Sequence, residues 1–121
     1  MRKLNILIIF VLSFLLLAVI DAGAANRTAL VIGNADYKLS PLKNPVNDAT
    51  DMANALRQSG FNVTLITNAN LRKIDEAIDS FGKKVFTGGV GLFYYAGHGV
   101  QVRGNNYLIP VHSNIQSEGD V

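Results

Sequence analysis

The chain has 121 residues, of which 11 are Lys or Arg and 9 are Asp or Glu, and it contains no cysteine. A small net charge without a clustered basic face excludes the usual electrostatic footprint of a nucleic-acid-binding protein. Without cysteine, these residues can form neither a disulfide framework nor a thiolate metal site, and they hold no cysteine nucleophile.

Residues 1–25 have the layout of a secretory signal peptide. Two basic residues precede an apolar run from Leu4 to Ile20, and Ala22 and Ala24 then form an Ala-x-Ala cleavage site. The sequence therefore predicts an exported domain, periplasmic or secreted. The alternative is a membrane anchor formed by residues 4–20, because that run is at the short end of spanning length.

Residues 26–121 are long enough for one small domain and contain no further apolar run that could span a bilayer. The leader takes away Arg2, Lys3 and Asp21, which leaves this domain with a net charge of +1. We therefore treat residues 1–25 and residues 26–121 as separate units.

The first half of the domain alternates between strand and helix patterns. Thr28–Gly33 is a short β-branched run and predicts a buried strand, and the turn residues and two prolines of 34–45 predict a loop. Apolar residues at helical spacing predict a helix over 46–58, with Asn47 as its candidate N-cap. A second strand is predicted over 61–67.

The second half begins with a strongly amphipathic helix over 70–86. Its apolar stripe consists of Leu71, Ile74, Ile78, Phe81 and Val85, and charged residues cover the other face. Val90–Ala96 is the most apolar run after the leader, so we predict it as the central strand. Residues 100–106 predict a polar turn, and Tyr107–Pro110 predicts a short strand.

This order of elements predicts an α/β fold with a mostly parallel sheet, right-handed crossovers and helices on both faces. No covering element follows Pro110. We therefore expect a truncated domain with an apolar patch and an open strand edge, through which it can self-associate.

His98 is the candidate catalytic residue. It lies between two glycines just past the carboxyl end of an apolar strand, where catalytic groups gather in parallel sheets. An imidazole can act as acid and base near neutral pH, and the glycines leave a backbone N–H free to face a substrate oxygen. A solvated histidine in a surface turn is the alternative that the residues alone leave open.

Other chemistries find little support in the sequence. The glycines near Val90 precede the strand, so no phosphate-binding loop is formed. The two histidines, His98 and His112, have no carboxylates at ligand spacing, and we expect no metal or other cofactor. Tyr94 and Tyr95 point to opposite faces of their strand and are predicted to be packing residues.

Four blocks of sequence resemble the caspase-like peptidases, and the bacterial metacaspase-type members in particular. They are Ala29-Leu-Val-Ile-Gly-Asn34 with Tyr37, Leu42-Lys-Asn-Pro-Val-Asn-Asp-Ala49, Leu92-Phe-Tyr-Tyr-Ala-Gly-His-Gly-Val-Gln101 and Asn106-Tyr-Leu-Ile-Pro110. The resemblance covers about residues 27–115. It implies a caspase-like three-layer α/β sandwich and a cysteine endopeptidase with a Cys/His dyad.

The resemblance also implies roles for three residues. His98 would be the dyad histidine, and Gly99 would lend its N–H to the oxyanion hole. Asp48 would line the specificity pocket and favour Arg or Lys before the scissile bond. The alternative for Asp48 is a residue that interacts with the dipole at a helix start. Relatives of this type can depend on calcium, but these residues do not indicate a calcium site.

The dyad cysteine has no counterpart among these residues, which end 23 positions after His98. The sequence therefore predicts the amino-terminal part of the peptidase domain, inactive alone, with the cysteine farther along. One alternative is a non-catalytic pseudopeptidase that serves as a protein-interaction module. Another is a small doubly wound binding domain of flavodoxin or receiver type. The sequence argues against it because it has no acidic cluster at the end of the first strand and no phosphate loop.

Overall fold

The computed structural model describes residues 26–120; Val121 and residues 1–25, where the leader and the alternative anchor are predicted, lie outside them. Within that range the chain alternates strands and helices and then forms a hairpin. The elements are β1 Arg27–Gly33, α1 Pro45–Gln58, β2 Asn62–Thr67, α2 Leu71–Phe86, β3 Val90–Ala96, β4 Gly99–Val102, β5 Asn105–Leu108 and a 3₁₀ turn Glu118–Asp120.

The main sheet is parallel and has the strand order β2-β1-β3. Val31 of β1 lies opposite Leu65 of β2 and Tyr94 of β3. Because β1 pairs on both sides, its residues 29–32 are fully buried. The predicted parallel sheet built by β-α-β crossovers is confirmed.

The prediction that Val90–Ala96 is the central strand is wrong. In the described part of the chain β3 lies at an edge of the sheet, and Val90 and Phe93 remain 51% and 43% exposed. The central position belongs to β1. The apolar character of a strand reflects how its faces are covered and does not determine its order in the sheet, which depends on the crossovers.

The two helices cover opposite faces of the sheet, as predicted. α1 packs on the face that carries Ala29 and Val31, and α2 packs on the face that carries Leu30 and Ile32. The helical side chains at these contacts are Ala49, Ala53 and Leu56 from α1 and Ile74, Ala77 and Phe81 from α2. The result is the expected three-layer α/β arrangement.

The helix starts differ in how well the sequence predicted them. α2 begins after Asn70, whose Oδ1 accepts a hydrogen bond from the Lys73 amide (3.0 Å). α1 begins at Pro45, with Asn44 rather than the predicted Asn47 at the N-cap. Proline is favoured in the first turn because its fixed φ suits the helix and it has no N–H to leave unpaired, which explains the earlier start.

The predicted polar turn over 100–106 is instead most of an antiparallel hairpin. β4 pairs with β5 from Gly99 opposite Leu108 to Val102 opposite Asn105. Arg103 and Gly104 form the two-residue turn, with φ of +48° and +82°. Such positive φ values match the twist of a tight hairpin, which allows a polar segment to pair on the surface.

No helix within residues 26–120 combines the length and the apolar character that crossing a membrane requires.

Candidate functional site

Two asparagine side chains join the loops at the carboxyl edge of the main sheet. The Oδ1 atom of buried Asn34 accepts from the Ala69 amide (2.8 Å), and its Nδ2 donates to the Ala69 carbonyl (3.4 Å). Asn68 accepts at Oδ1 from the amides of Ala35 (3.0 Å) and Asp36 (3.1 Å). These bonds join the loop that follows β1 to the loop that follows β2, and the Asn34 amide donates to the Ala96 carbonyl at the end of β3 (2.8 Å).

The imidazole of His98 is oriented by a carbonyl group of that loop. Its Nε2 lies 2.8 Å from the carbonyl oxygen of Ser40. Because a carbonyl oxygen can only accept, Nε2 carries the proton, and Nδ1 is the acceptor of the neutral ring. Ser40 has a φ of +59°, an unfavourable region for a residue with a side chain, so the surrounding loop imposes the position of this carbonyl.

Two tyrosine hydroxyls hold the backbone of His98. The His98 N–H donates to Tyr37 Oη (3.0 Å), and the His98 carbonyl accepts from the Tyr95 hydroxyl (2.7 Å) and from the Ile109 amide (3.0 Å). The Tyr37 and His98 rings also contact each other, with centroids 4.5 Å apart and planes inclined by 55°. Both the backbone and the ring of His98 are therefore fixed.

Position 97 must be glycine because the two tyrosine hydroxyls occupy the space that a side chain would need. A Cβ atom at this position would lie 2.6 Å from Tyr95 Oη and 2.7 Å from Tyr37 Oη. Real Cβ atoms do not approach other heavy atoms so closely, so any side chain here would displace the tyrosine pair.

The phenol of Tyr95 is a neutral hydrogen-bond donor over a wide pH range. Burial raises the pKa of this phenol well above its ordinary value, and the neighbouring Tyr37 phenol raises it further. Tyr95 therefore keeps the proton that it donates to the His98 carbonyl.

Gly99 begins β4 and is exposed directly after His98. Hydrogen-bonded and non-hydrogen-bonded pairs alternate along an antiparallel ladder. Because the Ile109 amide donates to the His98 carbonyl, the next pair, Gly99 with Leu108, falls at a non-hydrogen-bonded position. The pairing with β5 thus leaves the Gly99 N–H unused.

Asp48 lies at the same edge of the sheet but outside the contacts around His98. A Cβ atom at Gly33 would lie 2.6 Å from both the Pro45 carbonyl oxygen and Ala49 Cβ, so the start of α1 abuts the carboxyl end of β1. Asp48 is exposed in this first turn, and its amide donates to the Asn44 carbonyl (2.9 Å). Its carboxylate does not line the cavity beside His98.

That cavity has a volume of about 270 Å³ and is lined by Tyr37, Lys38, Ser40, His98, His112 and Ile115, among others. A larger cavity of about 590 Å³ lies between the start of α2 and residues 107–115. We place the site in the smaller cavity because it contains the oriented imidazole. Within the described residues no group of three metal-binding side chains comes together.

The sequence missed the partners that hold His98. The predicted packing role of Tyr95 accounts for its ring, which packs beside Leu30 and Ile32, but its hydroxyl belongs to the site. For Tyr37 the sequence offers only the resemblance, and no sequence pattern indicates the Ser40 carbonyl. The one available signal was position, since Tyr37 and Tyr95 both lie near the carboxyl end of a strand.

A parallel α/β sandwich with a Gly-His-Gly turn at the carboxyl ends of its strands is the arrangement that the resemblance to caspase-like peptidases implies. Residues 26–118 match the family described as the caspase domain. The human protein "Mucosa-associated lymphoid tissue lymphoma translocation protein 1" is 38% identical over 89 residues, which make up 73% of this chain. Its mouse homolog matches to the same extent.

The chain therefore belongs to the caspase-domain family, which confirms the resemblance and the fold class. It spans 11% of the length of these two relatives. The narrower assignment to the bacterial metacaspase type stays a prediction.

Proposed function

We propose that this chain supplies the histidine of a caspase-type cysteine endopeptidase. The observation that carries the proposal is the orientation of His98. Its Nε2–H is directed at the Ser40 carbonyl (2.8 Å), which leaves Nδ1 as the basic nitrogen beside a cavity. A histidine held in one tautomer is suited to acid and base catalysis near neutral pH.

In the proposed reaction, Nδ1 of His98 accepts the proton of a cysteine thiol, and the thiolate attacks the scissile carbonyl carbon. The oxyanion that forms accepts a hydrogen bond from the Gly99 N–H. The C–N bond then breaks as the imidazolium returns the proton to the leaving amine, and water hydrolyses the thioester. The 121 residues contain no cysteine, so the nucleophile is a cysteine outside them.

Asp48 is the proposed specificity residue for Arg or Lys before the scissile bond. Its carboxylate is exposed at the carboxyl edge of the sheet, where it is accessible to a cationic side chain. An opposite charge at the pocket attracts the substrate and excludes acidic side chains from the same position.

A pseudopeptidase that serves as an interaction module is the second candidate. It is favoured by the open edge at β3, where Val90 and Phe93 are exposed on opposite faces of the sheet and Phe86 is exposed just before the strand. An open strand edge with exposed apolar side chains is a common place for association between chains. In this alternative the same edge mediates self-association and His98 has no thiol to activate.

The two functions are separated by an assay of the polypeptide encoded by the complete reading frame. We expect it to cleave peptides with Arg or Lys at the scissile position and to leave matched Asp peptides intact. The 121-residue chain assayed in parallel should be inactive. No cleavage by the complete polypeptide would contradict the peptidase proposal and favour the interaction module.

We also propose that the domain is exported through residues 1–25, with a mature start at Ala25 or Asn26. Amino-terminal sequencing of the protein recovered outside the cytoplasm should give one of these residues first. Recovery with Met1 intact in a membrane fraction would contradict cleavage and favour the anchor.

A further inference from the structure

The hydroxyls of Tyr37 and Tyr95 meet at one point of the fold. Their oxygens are 3.1 Å apart, and both lie within hydrogen-bond distance of the Ile109 carbonyl, at 2.8 Å from Tyr37 and 3.0 Å from Tyr95. The same two oxygens contact the N–H and the carbonyl of His98. Three segments of the chain, around Tyr37, residues 95–98 and Ile109, therefore converge on this pair.

Counting protons assigns the bonds of this cluster. Each phenol has one proton to donate and can accept bonds at its oxygen. The shortest contacts assign the Tyr37 proton to the Ile109 carbonyl and the Tyr95 proton to the His98 carbonyl. Tyr37 Oη then accepts the His98 N–H, so the pair satisfies both polar backbone groups of His98 at once.

Core packing does not require these hydroxyls. The ring of Tyr95 packs beside Leu30 and Ile32, where a phenylalanine ring would fill the same volume. Tyr94, its neighbour on the opposite face, packs beside Ala29 and Val31 and has no part in the contacts around His98. The hydroxyls serve the backbone that follows β3, and Gly97 leaves the space for them.

We infer that Tyr37 and Tyr95 are a positioning pair for His98: their hydroxyls fix its backbone so that the imidazole stays directed at the Ser40 carbonyl with Nδ1 free. Neither phenol contacts a reacting atom, so both act through His98. The inferred orientation of the imidazole does not depend on peptidase activity, but its role in catalysis rests on the proposed function.

This arrangement predicts how the removal of each hydroxyl affects the orientation of His98. Tyr37→Phe keeps the ring against the imidazole but leaves the His98 N–H without its acceptor. Tyr95→Phe removes a donor from the His98 carbonyl, which still accepts from the Ile109 amide. We therefore expect a larger disturbance of His98 from Tyr37→Phe than from Tyr95→Phe.

The test is ¹⁵N NMR of the imidazoles in the purified chain, which has two histidines. The His98 signals are assigned by their loss in His98→Ala. We expect wild type and the control Tyr94→Phe to show a single Nε2–H tautomer. In Tyr37→Phe, and less so in Tyr95→Phe, the two nitrogen shifts should move towards each other as the tautomers mix.

A purely structural role would lower the thermal midpoint of the Tyr37 and Tyr95 variants without changing the His98 tautomer. An unchanged tautomer in both variants would overturn the inference, whatever their stability. Because this readout needs no turnover, it is separate from the peptidase assay. In an active complete polypeptide, Tyr37→Phe should lower kcat about tenfold to a hundredfold with little change in KM, as expected for a misplaced catalytic group.

Discussion

His98 and Asp48 both lie near the carboxyl ends of the parallel strands, but His98 is held by several hydrogen bonds whereas Asp48 is exposed. His98 is held through its ring and both backbone polar groups by the Ser40 carbonyl and the Tyr37 hydroxyl, which lie 58 and 61 residues away along the chain, and by the nearby Tyr95 hydroxyl. Asp48 has an exposed carboxylate in the first turn of α1. The fold therefore determines the orientation of His98, whereas the carboxylate of Asp48 is open to solvent or to a substrate.

The difference matters because the two proposed roles have different requirements. An acid and base catalyst must present one nitrogen in one direction, which needs fixed partners. A carboxylate that attracts a cationic substrate needs charge and access, and its partner arrives with the substrate. The surroundings of each residue therefore suit the role that the resemblance implies for it.

Apart from the loss of His98 itself, the largest effect is expected when Asp48 is removed from the active complete polypeptide. If Asp48 binds the substrate cation, Asp48→Ala should lower kcat/KM on an Arg peptide roughly thirtyfold or more. This corresponds to a loss of about 2–5 kcal/mol in transition-state stabilisation. If it only serves the start of α1, stability should fall by about 0.5–1 kcal/mol and kcat/KM should hardly change. Measuring both quantities on one variant decides, and an unchanged kcat/KM would remove Asp48 from the site.

The next effect comes from adding one methyl group beside His98. Gly97→Ala places a Cβ atom within 2.7 Å of both tyrosine hydroxyls, so we expect a loss of about 1–3 kcal/mol in the free energy of unfolding. The matched control is Gly82→Ala in α2, where the new Cβ meets nothing within 4 Å. Chemical denaturation should show this control gaining about 0.5–1 kcal/mol. Equal stabilities would contradict the crowding at Gly97.

A smaller effect is expected at alkaline pH. Because the pKa of Tyr95 is raised in the folded chain, the unfolded chain loses its phenolic proton first, above about pH 10. Stability should therefore fall as pH rises beyond that point. Tyr95→Phe should reduce this fall, whereas Tyr94→Phe should keep it. Thermal midpoints between about pH 8 and about pH 11 test this, and parallel curves for the two variants would contradict it.

The sequence predicted most of the fold because its signals are local. Helices expected over 46–58 and 70–86 are found at Pro45–Gln58 and Leu71–Phe86, since apolar periodicity is a property of neighbouring residues. The central position of β1 and the pairing of β4 with β5 were missed. Both depend on contacts between segments that lie apart in the chain, which periodicity does not record.

The same division holds at the site. His98 was found because glycines flank it at the end of an apolar strand, which is a local pattern. The Ser40 carbonyl and the Tyr37 hydroxyl lie 58 and 61 residues from His98 along the chain, and only folding brings them to it. The sequence thus predicts the catalytic candidate but not the groups that orient it.

The most direct test of this account is kcat/KM of the complete polypeptide on an Arg peptide, measured for wild type and His98→Ala. We predict a loss of about 10²–10⁴-fold with little change in thermal midpoint, because the imidazole acts as acid and base and lies outside the core. Lys84→Ala, exposed at the opposite edge of the sheet, is the control and should match wild type. Full activity in His98→Ala would contradict the central claim.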